Sequence, residues 1–311
     1  MTSPRQHHPG LWPLLAASVA LLASALSAAA QPRVFVSAQT GIDTNPCSVT
    51  SPCRTFGQAL SVVASGGEVI VLDSGGYGPV TINKPVTIEA PPGIYAGINT
   101  PAGSNPSVGI NVSAGVGTSV VLRGLTFNGA GGINTFLILI GDGLLTVDRC
   151  VFNGPADDGI FFNTASTHGS LVITHSLFRR TGTAVEANGN ASVTVVECRF
   201  EDNVLNGLSL SSVTTASIRN SVMARNNIGV VSYANGTPSE LDVDECLIAN
   251  NTIAGVQAQG TETIRVSNST VADNGQALST LNTSTIETFG NNRLRGNTSP
   301  NSGTIVLVSP N

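Results

Sequence analysis

The sequence predicts an all-β parallel solenoid. Three observations carry this: a segment recurs about every 24 residues, its apolar positions fall at strand spacing, and Asn, Asp and Gly turns join its strands. The copies are VVLRGLTFNG from Val120, LTVDRCVFNG from Leu145, LVITHSLFRR from Leu171, VTVVECRFED from Val193, ASIRNSVMAR from Ala216, LDVDECLIAN from Leu241 and IRVSNSTVAD from Ile264. A degraded copy, ETFGNNRLRG, begins at Glu287.

Reading down the copies gives columns. The first is Val120, Leu145, Leu171, Val193, Ala216, Leu241, Ile264; the second is Leu122, Val147, Ile173, Val195, Ile218, Val243, Val266, Phe289. Two residues separate them, so both face one side of a strand. A third column holds Phe127, Phe152, Phe178, Phe200, Met223, Ile248, Val271 and Leu294. Between the second and third lie mostly small residues: Leu125, Cys150, Ser176, Cys198, Ser221, Cys246, Ser269, Asn292. A glycine-preceded strand closes several coils, at Gly159-Ile160, Gly207-Leu208, Gly229-Val230 and Gly255-Val256. No single copy can bury its apolar face, whereas stacked copies about 4.8 Å apart bury one continuous core. Leucine-rich repeats need an LxxLxL frame, propeller blades about 40 residues and left-handed hexapeptide helices a period of six; none is present.

The elements follow in chain order. Arg5, an apolar run over residues 11–26 and Ala28-Ala29-Ala30 read as an export leader cleaved near Ala30, too short to favour a membrane anchor. Residues 31–67 then form an N-terminal loop and a capping helix, in which Phe56, Leu60 and Val63 share a face and Gly66-Gly67 is the expected stop. Such a cap hides the open end of a solenoid. Residues 68–311 form the coils, opening with EVIVLD from Glu68 and VTINKPVTIEA from Val80 and closing with a strand from Thr304. Asn203, Asn226, Asn251, Asn274 and Asn297 share one turn slot, where stacked amides can bond along the column. The slot before it, Arg180, Asp202, Arg225, Asn250 and Asp273, suits a surface ion ladder.

Composition restricts the partners. The 14 basic and 19 acidic residues give a net charge of −5, and −6 once Arg5 leaves with the leader. Lys84 is the only lysine, so no basic cluster is available for nucleic acid. Five cysteines occur. Cys47 and Cys53, in NPCSVTSPCRTF, suit a small disulfide-closed loop in an oxidising compartment, with free thiols as the alternative. Cys150, Cys198 and Cys246 alternate with serine coils, so roughly 9.6 Å separates neighbours, beyond disulfide reach. They are expected to be reduced core thiols, and no accompanying histidine pair or CxxC suggests a metal.

With these columns in hand, the chain resembles the secreted bacterial right-handed parallel β-helix repeat proteins of pectin-lyase-like architecture. RVFVSAQTGIDTNPCSVTSPCRTFGQAL resembles their opening, GGEVIVLDSGGYGPVTINKPVTI their first coil and ETFGNNRLRGN their closing coil. The resemblance implies a right-handed parallel β-helix more than a function, since members of this group mostly have no assigned activity. Enzymes of the architecture cleave acidic polysaccharides on an outer strand face. Of the polygalacturonase-like NTD, DD, GHG and RIK motifs, only a DD is present, Asp157-Asp158, and it precedes a strand glycine where Asp commonly makes a turn. His168 and His175 lie in no GHG. Asp157, Asp158, Arg180 and Asp202 fall in adjacent turns and are the nearest thing to a pectate-lyase-like acidic cluster.

A second charged row reads Arg149, His175, Glu197, Asn220, Glu245, Asn268, flanked by Asp148, Arg219, Asp242, Asp244 and Arg265. Sugar grooves favour exposed aromatic platforms. Without the leader the chain has no Trp, only Tyr77, Tyr95 and Tyr233, and most phenylalanines are taken by the core column. The expectation is therefore a secreted or periplasmic, monomeric scaffold or glycan-binding protein. Its partner would be an extracellular glycan or an envelope component, with no nucleic acid and no membrane segment after leader cleavage. No catalytic residue, metal or cofactor is assigned. The alternative is a polysaccharide lyase or glycoside hydrolase. An adhesin passenger is disfavoured, because no translocator or wall anchor follows Asn311.

Overall fold

The computed structural model describes residues 30–132, 134–212, 215–234 and 240–309, with the side chains of 165–168 and 300 left aside. The expected leader lies outside the described residues. The chain winds into about ten right-handed turns of a parallel β-helix. Three strand faces run its length. Face A holds Ser119–Arg123, Leu144–Asp148, Thr215–Arg219, Glu240–Asp244 and Thr263–Ser267. Face B is a ten-stranded sheet from Gly75–Gly76 to Arg293–Arg295. Face C includes Ser107–Val112, Thr135–Ile140, Asn206–Ser211, Ile228–Ala234 and Ala254–Gly260. Two long strands, Asp158–Thr174 and Thr183–Val196, pass from face C into face A and join the two into one sheet.

The columns become vertical stacks. On face A, Leu145 pairs with Val120 and Leu171, and Val147 with Leu122 and Ile173. On face B, Phe152 lies between Phe127 and Phe178, and Phe178 pairs with Phe200. The rings are nearly parallel and stacked, with centroids 4.6, 4.1 and 5.1 Å apart down the column, and all four are fully buried. Strand spacing and ring-stacking distance nearly coincide, so one stack satisfies backbone hydrogen bonding and packing together.

The corners explain the two polar columns. Arg149, His175, Glu197, Asn220, Glu245 and Asn268 turn the chain from face A to face B, all with φ between 48° and 55°. Arg180, Asp202, Arg225, Asn250 and Asp273 turn it from face B to face C with φ of 57–60°. This left-handed conformation costs a non-glycine residue roughly 1–2 kcal/mol, and Gly124 and Gly154 hold the corresponding slots in earlier coils. Gly124 is also confined, since a Cβ there would lie 2.3 Å from the Ala90 carbonyl oxygen.

The serine column has a specific task. Ser176, Ser221 and Ser269 accept from the amides of Cys150, Cys198 and Cys246 one coil earlier, each at 3.1 Å, through Oγ. Each hydroxyl donates in turn to the carbonyl two residues before it. Corner amides that the sheet leaves unpaired are thus satisfied inside the core. The three thiols are free and buried, and burial pushes them up to about 12 for Cys150 and about 11 for Cys198 and Cys246. Cys47 and Cys53 are bonded to each other, with Cα atoms 4.6 Å apart. Alkylation of native protein is therefore expected to modify no cysteine. Alkylation after non-reducing denaturation should modify Cys150, Cys198 and Cys246 alone. Peptide mass mapping checks this, and a Cys150–Cys198 link would contradict the stacking.

The Asn column is a continuous buried ladder. Asn203 Nδ2 donates to Asn226 Oδ1 at 2.9 Å, and the pattern repeats to Asn251, Asn274 and Asn297 at 3.2, 2.9 and 3.0 Å. Each Oδ1 also accepts a backbone amide from the coil before it. The neighbouring ion column closes at one rung: Arg225 Nε and Nη2 clasp Asp202 at 2.6 and 3.1 Å.

Three expectations need correction. The helix spans Phe56–Val62 and stops at Val63, before the glycines. Thr55 caps its start, but β-branched Val62 and Val63 favour extension, and Val63–Val71 is a face A strand containing Gly66 and Gly67. That strand pairs with Gln31–Val36, so the sheet already begins ahead of the helix, which packs Phe56, Ala59 and Leu60 inward. Second, Phe289 does not continue the second column: Thr288 opposes Val266, and one extra residue lengthens the corner before Asn292. Third, Asp158 is not a turn residue but the buried first residue of a strand.

Candidate functional site on the outer side of face C

The two charged groups singled out by sequence do not form an active site. On face A, His175 bridges coils, with Nδ1 at 3.1 Å from Asp148 and Nε2 at 2.9 Å from Glu197. Arg149 also reaches Asp148 at 3.2 Å, Arg219 reaches Asp244 at 2.7 Å, and Arg265 reaches Glu287 at 2.9 Å. Asp244 further accepts from Ser267 and Asn268. These carboxylates are committed to pairs along the helix axis. The Asp157, Asp158, Arg180, Asp202 cluster likewise separates. Asp157 accepts from the Thr135 amide at 3.1 Å, and Arg180 lines a depression beside it. Asp202 belongs to Arg225, which holds its carboxyl below the usual range. Among the described residues, no group of three or more His, Cys, Asp or Glu is placed to hold a metal.

Asp158 behaves differently, and the geometry of face C explains why. Several of its strands carry two consecutive inward residues behind an outward one, as at Leu137-Ile138, Gly159-Ile160 and Ala184-Val185. This doubled inward pair breaks the alternation while the register between coils stays constant, so the outward residues are Phe136 and Leu139, Asp158 and Phe161, Thr183 and Glu186. Register places Asp158 against Phe136 and Thr183, and Phe161 against Leu139 and Glu186. The rings of Phe136 and Phe161 stack across the strands, outside the core, with centroids 5.0 Å apart. Asp158, 6% exposed, lies beside this stack. Its carboxyl receives no hydrogen bond from the described residues. Burial, then the charges of Glu186 and Asp157, push it up to about 8 from 3.8.

The sign of that shift is informative. The folded protein holds a proton that the unfolded chain releases above about pH 4, so Asp158 costs stability increasingly as pH rises from about 4 through 8. No turn, cap or ion pair compensates. The fully enclosed, unpaired side-chain polar atoms among the described residues are Arg123 Nε, Asp142 Oδ1, Asn153 Oδ1 and Ser232 Oγ. The oxygens of Asp158 are not among them, so its carboxyl keeps a path to solvent.

A cleft of about 420 Å³ adjoins the aromatic stack, lined by Asn111, Ser113, Leu139, Asp142, Phe161 and Asn163 among others. Asn111 and Leu139 also line a second cleft of about 360 Å³ bounded by Pro79, Val80, Pro101 and Pro106. Across the stack, Asn188 Nδ2 donates to Glu186 Oε1 at 2.9 Å. Further along the face, Tyr233 packs on a small apolar cluster of Ile228, Val231 and Ala254, separate from the core, and Gln257 and Gln259 pair at 2.6 Å. The outer side of face C is thus a strip of aromatic, amide and carboxylate groups. The other two tyrosines contribute nothing to it: Tyr77 stacks on Phe56 and bonds Asp73, and the Tyr95 hydroxyl accepts from Asn128 on face B. The strip escaped sequence reading because period-two columns fail at the doubled inward pair. The signal available was the Phe161-Phe162 pair, of which only one ring can face inward.

An all-parallel three-faced coil with, among the described residues, one helix near its start defines the class as a β-helix. The sequence matches the right-handed β-helix region family over residues 108–271, more than half of the chain, and the protein belongs to that family. No curated protein matches it. Among solved structures it is similar to XylC in complex with xylose, at 10% identity and a TM-score of 0.62, covering 84% of this chain and 70% of that one. It is similar to the pectate lyase Pel9A at 14% identity and 0.64, covering 90% and 78%. A rhamnogalacturonan lyase matches at 14% and 0.56, covering 80% and 82%. At these identities the likeness establishes the fold alone.

Proposed function

We propose that the protein binds a glycan chain along the outer side of face C, outside the cytoplasm. The observation that carries this is the Phe136–Phe161 stack, two rings excluded from the core and set beside a cleft lined with amides and a carboxylate. Aromatic faces stack on the apolar faces of sugar rings, while Asn111, Asn163 and Asp142 supply directional partners for hydroxyls. The similarity to XylC in complex with xylose, to a pectate lyase and to a rhamnogalacturonan lyase supports a saccharide ligand for this architecture. The Cys47–Cys53 bond agrees with an oxidising compartment, and no helix among the described residues is long and apolar enough to cross a membrane. An export leader ending near Ala30 and a monomeric state complete the reading.

A glycan array followed by calorimetry tests it. Phe161→Ala should weaken binding about tenfold, the scale of one stacking contact. Arg219→Ala, on face A, should leave affinity unchanged. Binding insensitive to the Phe136→Ala, Phe161→Ala double variant, with its melting temperature preserved, would place the ligand elsewhere.

A further inference from the structure

We infer that the face C strip also hydrolyses its ligand, a neutral glycan, with Asp158 as proton donor and Glu186 as the carboxylate that activates water; this rests on the glycan-binding reading above. Four observations converge. Asp158 is more than nine-tenths buried, and no described side chain or amide hydrogen-bonds its carboxyl. It faces away from the core, beside the aromatic stack that would hold a sugar ring. Glu186 is the outward residue one strand across and one outward position further along, and Asn188 fixes its orientation. Finally, burial keeps the Asp158 proton in place at neutral pH, and the Glu186 carboxyl is held at the surface of the strip by its bond from Asn188 Nδ2 at 2.9 Å. Two carboxyls on the same outward side of neighbouring strands, one of them protonated, are the arrangement that acid–base cleavage of an acetal uses. A buried acid that lowers stability without a structural task fits such a role.

Substrate charge follows from the lining. Neither cleft beside the stack contains Lys or Arg among its lining residues, while Asp142 and Glu186 add negative charge along the strip. Arg180 faces the separate depression at the B–C corner with Asp157. A polyuronate would meet unneutralised carboxylates here, whereas uncharged hydroxyls would meet Asn111, Asn163 and Asn188. In the reaction, the Asp158 proton passes to the glycosidic oxygen as the anomeric C–O bond breaks. A water oxygen bonds to the anomeric carbon, and its proton goes to Glu186. Glu186 then releases its proton to solvent and Asp158 regains one from solvent, so one water is consumed and two shorter neutral saccharides leave.

The test uses the full mature chain with xylo-, gluco- and galacto-oligosaccharides, aryl glycosides and polygalacturonate, reading new reducing ends. Neutral substrates should be cleaved and polygalacturonate should not. Glu186→Gln should lower turnover about a hundredfold on all of them. Asp158→Asn should lower it about a hundredfold on oligosaccharides, yet under about tenfold on dinitrophenyl glycosides, whose leaving group needs no proton. Asp158→Asn should also melt no lower than the parent at pH 8, which separates lost chemistry from lost folding. Neutral glycans bound by the parent but never cleaved would overturn hydrolysis and leave the binding reading standing. Equal losses on both leaving groups would remove Asp158 as donor. Cleavage of polygalacturonate alone would overturn the substrate class, and absence of any glycan binding would end both readings.

Discussion

Phe178→Ala is expected to cost about 3–5 kcal/mol of unfolding free energy, the scale of a buried aromatic deleted together with the cavity it leaves. The ring is fully buried, with Phe152 at 4.1 Å on one side and Phe200 at 5.1 Å on the other. Neither neighbour can close the gap. Each is fixed by the face B register, Phe152↔Phe178 and Phe178↔Phe200, so collapse would break backbone hydrogen bonds. Urea denaturation checks the figure. Phe178→Leu should recover part of the loss, because most of the volume returns. Phe136→Ala, at a half-buried outward ring, should cost far less. A Phe178→Ala cost below about 1 kcal/mol would show that the rings do not form one packed column.

Asn251→Ala should cost about 2–4 kcal/mol, although it removes only a small polar side chain. Asn251 is 1% exposed and serves both neighbouring coils. Its Oδ1 accepts from the Asn226 amide at 3.0 Å, and its Nδ2 donates to the Met223 carbonyl at 3.1 Å. Alanine strands both backbone groups where water cannot reach, at about 1–3 kcal/mol each. Asn297→Ala, at the more exposed end of the ladder, should cost about half as much. Hydrogen exchange gives the local readout: the Asn226 amide should exchange far faster in Asn251→Ala while amides near Val69 keep their protection.

What could be read from the sequence follows the core. Leu145, Val147 and Phe152 repeat because their coil neighbours must match them at one strand spacing, so inward columns leave a regular trace. The corners left a weaker trace: Arg149 and Arg180 read as surface charge, and only the backbone shows them to be left-handed turns. Outward residues obey no such matching. Phe136, Asp158 and Glu186 are one-off choices in three successive coils, and the consecutive inward residues Gly159-Ile160 put them out of phase with any alternation. Asp157-Asp158 was visible as a motif, but two adjacent aspartates meet opposite fates. One caps a turn through the Thr135 amide; the other is enclosed beside two rings. Only three-dimensional register separates them.

The ladder pattern also governs how the molecule would yield to force. Every rung joins residues one coil apart, as Leu241 to Ile264 and Val243 to Val266. Tension drawn from the C-terminal strand Ile305–Leu307 is therefore borne by a single coil before the next is loaded. Each yielding event would release roughly 80 Å of chain, the extended length of one repeat, in exchange for one strand spacing of axial length. At the other end, the Phe56–Val62 helix packs Phe56, Ala59 and Leu60 inward beside the Cys47–Cys53 loop, so the first coil is backed by contacts that the last one lacks.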